Sequence, residues 1–125
     1  YDDALLDIYD FFEEKINFFL KKNYKKEFII IDPGIGFGKN LSHNLRIMSK
    51  ISTFHSLGCP ILVGASRKRF IKTIGLQDDP LKISAGSIAV ALEAINQGVQ
   101  ILRVHDVFET VQALRLWKSI NIGTS

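Results

Sequence analysis

Phe28-Ile29-Ile30-Ile31-Asp32-Pro33-Gly34 is the stretch on which the fold turns. Four apolar residues in succession, with no polar residue on the alternate positions, read as a strand covered on both faces. Strands of a parallel sheet read this way. The run stops at Asp32-Pro33-Gly34 because proline cannot donate to a ladder and glycine permits a turn. Upstream, Leu5, Ile8, Phe12, Ile16 and Phe19 recur at helical spacing, so residues 2–23 are expected to form an amphipathic helix. Downstream, Ser42 is the expected N-cap of a helix that carries Leu45, Met48, Ile51 and Phe54 inward and ends at Gly58. Pro60 opens a second buried strand, Ile61-Leu62-Val63, which ends at Gly64. A short helix over 67–75 and a longer one from Ala85 to Gln97 follow, the latter with Ile88, Leu92 and Ile95 on one face. Ile101-Leu102-Arg103-Val104 is the third strand. Asp106 and Glu109 resemble a capping box at the start of a last helix, with Val107, Val111 and Leu114 toward the sheet and Trp117 nearby.

The order α-β-α-β-α-α-β-α predicts an α/β fold with parallel strands and right-handed crossovers. Three strands make a poor independent sheet, because both outer edges would be exposed. The pattern therefore reads as a slice of a larger sheet or barrel.

The 125 residues suffice for one domain, residues 1–125, with a real core. The net charge of +3 suits an anionic ligand and does not single out nucleic acid. The Lys21-Lys22 and Lys25-Lys26 pairs fall at a helix end, where cations favour the dipole. Cys59 is the only cysteine, so no internal disulfide framework exists; between Gly58 and Pro60 it reads as a small buried hydrophobe. There is no secretory pattern and no apolar run near the roughly 20 residues of a membrane span. A cytoplasmic location with no membrane partner is the expectation. The chain begins at Tyr1 rather than Met, which is read as a cut or processed N-terminus.

In β/α barrels and open α/β sheets, ligands bind at the carboxyl ends of the strands. Three polar clusters fall there. At the first, Asp32 either caps the following turn or accepts from the N–H groups of a polar heterocycle. Gly34, Gly36 and Gly38 let the backbone approach a ligand. Phe37, set between two of them, either stacks on a flat ligand or pins the loop. At the second, Gly64-Ala65-Ser66-Arg67-Lys68 puts basic side chains at a strand end and helix start, where the dipole disfavours them unless something negative compensates. A solvated basic turn is the alternative. At the third, Arg103 and His105 alternate along one strand and so share a face. Arg suits phosphate oxygens by its planar fork, and His can donate at the same place. Lys68, Arg103 and His105 thus stand on neighbouring strand ends as an anion site. His43 and His55 read as surface residues without a role, and Asp78-Asp79 as a turn.

Asp32-Pro-Gly-Ile-Gly-Phe-Gly-Lys-Asn, Gly64-Ala-Ser-Arg-Lys and Arg103-Val-His-Asp, in this order and spacing, resemble the C-terminal half of the dihydropteroate synthase family. The resemblance runs over essentially the whole chain. It implies about three β/α units of a TIM (β/α)8 barrel and a transferase of folate synthesis. That enzyme joins 4-aminobenzoate to 6-hydroxymethyl-7,8-dihydropterin pyrophosphate and releases pyrophosphate. It further implies that Asp32 and Lys68 hydrogen-bond the pterin, that Gly64 lets the pterin approach, and that Phe37 helps enclose the aminobenzoate. Arg103 and His105 would hold the pyrophosphate, so that Lys68, Arg103 and His105 carry the catalytic electrostatics. Mg2+ and a homodimer formed through the C-terminal helices are implied as well.

Two departures stand out. Position 69 is Arg, where the family frequently has a small hydroxyl residue. The early strands, with the magnesium-binding Asn, further pterin ligands and the mobile loops, are not in this chain. A complete barrel takes about 250 residues, so these residues alone are expected to bind little pterin and not to turn over. Two other readings are a methyltetrahydrofolate-binding methyltransferase barrel and a non-catalytic assembly partner. The methyltransferase has no pyrophosphate for Arg103 and His105 to hold.

Overall fold

The computed structural model describes residues 3–36, 40–64, 66, 68–79 and 82–123. The fold is α/β with parallel strands. Helix α1 spans Asp3–Lys21, α2 Leu41–Ser49, α3 Arg69–Ile74, α4 Ser84–Asn96 and α5 Val107–Ile122; strands β1 and β2 are Leu62–Val63 and Ile101–Leu102. Strand β1 pairs in parallel with β2, Leu62 against Ile101 and Val63 against Leu102.

The expected first strand is reduced to a single parallel bridge, Ile31 to Ile61. The Ile31 N–H donates to the Pro60 carbonyl at 2.9 Å, and the Leu62 N–H donates to the Ile31 carbonyl at 2.8 Å. Ahead of it Lys26–Phe28 form a 3-10 turn, and Phe28 and Ile30 are 76% and 54% exposed. The physical reason is local. Among the described residues no strand pairs with the other edge of this segment, and nothing covers its outer face. Further ladder bonds run from the Ile101 N–H to the Ile61 carbonyl (3.1 Å) and from the Arg103 N–H to the Val63 carbonyl (3.0 Å). Spatial order therefore follows chain order, with 61–63 in the middle.

Helix α2 is capped by Asn40 rather than Ser42. Asn40 Oδ1 accepts from the His43 N–H at 2.9 Å and from the Ser42 hydroxyl at 3.0 Å, so the serine supports the cap instead of forming it. The helix does not run on to Gly58. It ends at Ser49, and Ile51–Leu57 continue as 3-10 helix before Gly58 closes the segment at φ 81°. Within α2 the inward line is Asn44, Ile47 and Met48 at α-helical spacing, which turns Leu45 outward. Asn44, Ile47, Met48, Ile51, Phe54 and Leu57 are buried, whereas Leu45, expected inside, is exposed.

Phe54 has no exposed surface and centres the contact with α1. Its ring meets Phe12 edge-to-face at 5.4 Å between centroids and stacks with Tyr9 at 6.3 Å. On α4 the most buried positions are Ser87, Ala91 and Ala94, with Ile88, Leu92 and Ile95 half-buried beside them. Small residues let this helix lie close, and a Cβ on Gly86 would come within 2.5 Å of Ile71 Cγ2. Helix α5 differs from expectation. Asp106 is its N-cap residue, but the side chain makes no capping bond, so the capping box does not form. The inward line is Thr110, Leu114 and Trp117, while Val107 and Val111 are exposed.

Cys59 is buried, as its neighbours suggested. Burial pushes its thiol pKa up, opposed in part by the Lys26 ammonium. The thiolate is the nucleophile, so a raised pKa leaves less of it at neutral pH. Cys59 should therefore react with iodoacetamide at pH 7.5 roughly tenfold more slowly, or less, than after denaturation. Phe54→Ala should cost about 3–5 kcal/mol through lost contact and a residual cavity, read from the urea midpoint.

Candidate functional site

The carboxyl end of the β1–β2 ladder sets the site. The bond from the Arg103 N–H to the Val63 carbonyl holds the end of β2 level with Gly64, where β1 ends. Gly64, Ser66, Lys68, Arg103, Val104 and His105 line one cavity of about 300 Å³ there. Two cationic side chains, a hydroxyl and an imidazole meet in that space. Such a set suits an anion, because Arg and Lys offer charge-assisted donors and no acceptor.

Gly64 is required by close approach. A Cβ at this position would lie 2.5 Å from Arg103 Nη2 and 2.8 Å from Nε, so the guanidinium lies directly over the glycine. Lys68 is held in a comparable way. Its aliphatic stem passes over Gly36, where a Cβ would stand 3.0 Å from Lys68 Cδ, and Gly36 has φ 89°. The Gly36 N–H donates to Oδ1 of buried Asn44 at 2.8 Å, which ties the loop after Ile31 to α2.

The expected site residues divide as follows. Gly64, Lys68, Arg103 and His105 come together in the cavity. Asp32 lies at the end of the neighbouring strand and does not line it. Its Oδ1 accepts from the Gly34 N–H at 2.8 Å, the turn-capping arrangement that was one of its two readings. Phe37 lies outside the described residues, as does Arg67. Two residues without an assigned role in the sequence reading matter here. Ser66 is buried, and its Oγ lies 3.3 Å from the His105 backbone nitrogen and 3.2 Å from Nδ1. Asn44 is buried beneath the glycine loop. Ser66 was visible as part of a strand-end motif; nothing in the sequence marked Asn44. His55, read as a surface residue, is half-buried with Nε2 2.6 Å from the Gln97 carbonyl.

Among the described residues no group of three or more His, Cys, Asp or Glu side chains gathers to hold a metal ion. Lys68 and Arg103 also disfavour a cation in the cavity, so these residues do not fit a magnesium ion. No helix among the described residues is long and apolar enough to cross a membrane.

A parallel α/β unit with basic side chains and a histidine gathered over a glycine at its strand ends has the form of the α/β folds whose ligand sites lie at the carboxyl edge of the sheet. A family model described as "Pterin binding enzyme" matches residues 1–105. The chain belongs to the pterin-binding enzyme family. Similar proteins include the dihydropteroate synthase of Escherichia coli (strain K12), 43% identical over 116 residues, with 93% of this chain and 41% of that protein covered. The structure of dihydropteroate synthase from Xanthomonas albilineans in complex with 7,8-dihydropteroate superposes with a TM-score of 0.92 at 37% identity, over 97% of this chain and 46% of that one. Dihydropteroate synthase from Thermus thermophilus in complex with 6HMPPP gives a TM-score of 0.89 at 37% identity, over 97% and 47% of the two chains. The chain spans less than half the length of these relatives. The family resemblance read from the three motifs is thus borne out.

Gly64→Ala should push the Arg103 guanidinium aside while leaving the fold intact. With inorganic pyrophosphate as a probe anion for this basic cavity, binding by the full-length protein should weaken roughly tenfold, the worth of about one charge-assisted hydrogen bond. Titration calorimetry measures the affinity, and circular dichroism checks the fold.

Proposed function

We propose that this chain is the C-terminal part, about three β/α units, of a TIM-barrel dihydropteroate synthase. The reaction joins the amine of 4-aminobenzoate to the exocyclic methylene of 6-hydroxymethyl-7,8-dihydropterin pyrophosphate, giving 7,8-dihydropteroate and pyrophosphate. The observation that carries this reading is the Arg103 guanidinium lying over Gly64 in one cavity with Lys68 and His105. It is joined by membership of the pterin-binding family.

In this reading Arg103 and His105 hold the pyrophosphate. Charge grows on the leaving group as the C–O bond breaks, and donors fixed beforehand lower that barrier without reorganising. Lys68 donates to the pterin from the side of Gly36, and the ring approaches the strand end at Gly64 beside the Arg103 guanidinium. Asp32 stands at the adjacent strand end as the pterin's acceptor, with Gly34 holding its carboxylate in place. Phe37 encloses the aminobenzoate. Residues outside this chain hold the Mg2+ that the resemblance implies, since the described residues do not suit it.

A cytoplasmic location and a homodimer complete the proposal. Exposed Val107, Phe108, Val111 and Leu116 on α5, beside a groove of about 730 Å³, support an apolar contact on that helix. The methyltransferase alternative has no use for two pyrophosphate-holding side chains, and the relatives named above are dihydropteroate synthases.

In the full-length protein, Arg103→Ala should weaken binding of the pterin pyrophosphate by roughly 1.5–3 kcal/mol, about tenfold to a hundredfold, through loss of hydrogen bonds to a charged group. Binding of the free hydroxymethyl pterin should change little. Calorimetry with both ligands tests this, and equal losses for the two would remove the pyrophosphate role from Arg103.

A further inference from the structure

Ser66 lines the cavity with only 7% of its surface exposed, whereas His105 beside it is exposed. Its Oγ faces two nitrogens of the same residue, the His105 backbone nitrogen at 3.3 Å and Nδ1 at 3.2 Å. The backbone N–H can only donate, so it takes one lone pair of the hydroxyl. The hydroxyl proton then needs an acceptor, because a buried polar hydrogen left without one is costly. Among the described residues Nδ1 is the acceptor within reach of that proton. A neutral imidazole whose Nδ1 accepts must carry its proton on Nε2.

We propose that Ser66 is a positioning residue that donates to Nδ1 and holds His105 in the Nε2–H tautomer, turning a donor rather than a lone pair toward the anion. The functional half of this inference rests on the anion-holding role proposed above. The tautomer half does not. The opposite tautomer would set a lone pair against the oxygens of an anion, and the ring would repel the group it is placed to hold. Ser66 also fixes the ring's orientation, since its second bond is to the backbone of the same residue. It is a buried support for an exposed donor, as histidine rings at functional sites are commonly oriented through the nitrogen not facing the ligand.

Long-range nitrogen–proton correlation spectra of histidine-labelled full-length protein, at a pH where the ring is neutral, test this directly. His105 in the wild type should carry its proton on Nε2. A spectrum with the proton on Nδ1 would overturn the proposal without any variant. Ser66→Ala should give mixed tautomers and weaken inorganic pyrophosphate about fivefold to twentyfold by calorimetry. Ser66→Thr, which keeps the hydroxyl, should stay within about twofold of wild type. An unchanged tautomer in Ser66→Ala, or a threonine variant as weak as the alanine one, would overturn it. A serine that merely filled space would leave the tautomer ratio unmoved. Wild-type pyrophosphate affinity in His105→Ala would instead remove His105's anion role, with the tautomer assignment still decided by the spectra.

Discussion

The bond from the Arg103 N–H to the Val63 carbonyl, 3.0 Å long, is the constraint on which the site depends. Among the described residues it is the rung of the parallel pairing nearest the cavity, and it sets the height at which β2 leaves the sheet. Just beyond the point where Val63 and Arg103 pass each other, the chain delivers Gly64 and His105 to the same cavity. A slip of one residue would turn Arg103 and His105 to the opposite face, since side chains alternate along a strand. The buried side chains of Ile31, Ile61 and Val63 resist such a slip, because it would exchange apolar for polar residues in the core.

Above that rung the cavity is shaped by close approaches rather than by volume. Gly64 yields its side-chain space to a guanidinium, and Gly36 yields its own to the stem of a lysine. Each bulky, flexible cation thereby gains a fixed path. Buried polar groups underneath complete the arrangement. Asn44 takes up the Gly36 N–H, and Ser66 takes up the backbone and ring of His105. The donors that face the cavity are thus supported from below by groups that solvent barely reaches.

Much of this was legible before the structure. Alternation of apolar runs with helical periodicity gave parallel α/β, and the helices 84–96 and 107–122 fall within a few residues of expectation. Lys68, Arg103 and His105 stand at neighbouring strand ends in the sequence pattern and line one cavity with Gly64, whereas Asp32, expected at the same edge, does not line it. The misses have physical causes. Phe28-Ile29-Ile30 has strand composition, but a strand also requires a neighbour paired along its length, and here only Ile31 finds one. Counting in threes through Met48, Ile51 and Phe54 puts Leu45 inside, a spacing that suits the 3-10 segment but not α2, whose buried line is Asn44, Ile47 and Met48. Val107 and Val111 were turned inward because apolar residues usually are, yet the helix packs through Thr110, Leu114 and Trp117.

The sequence by itself determined the class of fold, the strand ends at which chemistry gathers and the family, because periodicity, turn residues and motif spacing are properties of adjacent residues. Only the tertiary structure decided that Arg103 spans Gly64, and that buried Ser66 and Asn44 support His105 and the Gly36 backbone. Those facts depend on contacts between segments apart in the chain, about 40 residues apart for Ser66 and His105. Local sequence can state which hydrogen bonds a residue is able to make; the packing of neighbouring strands selects the one it makes.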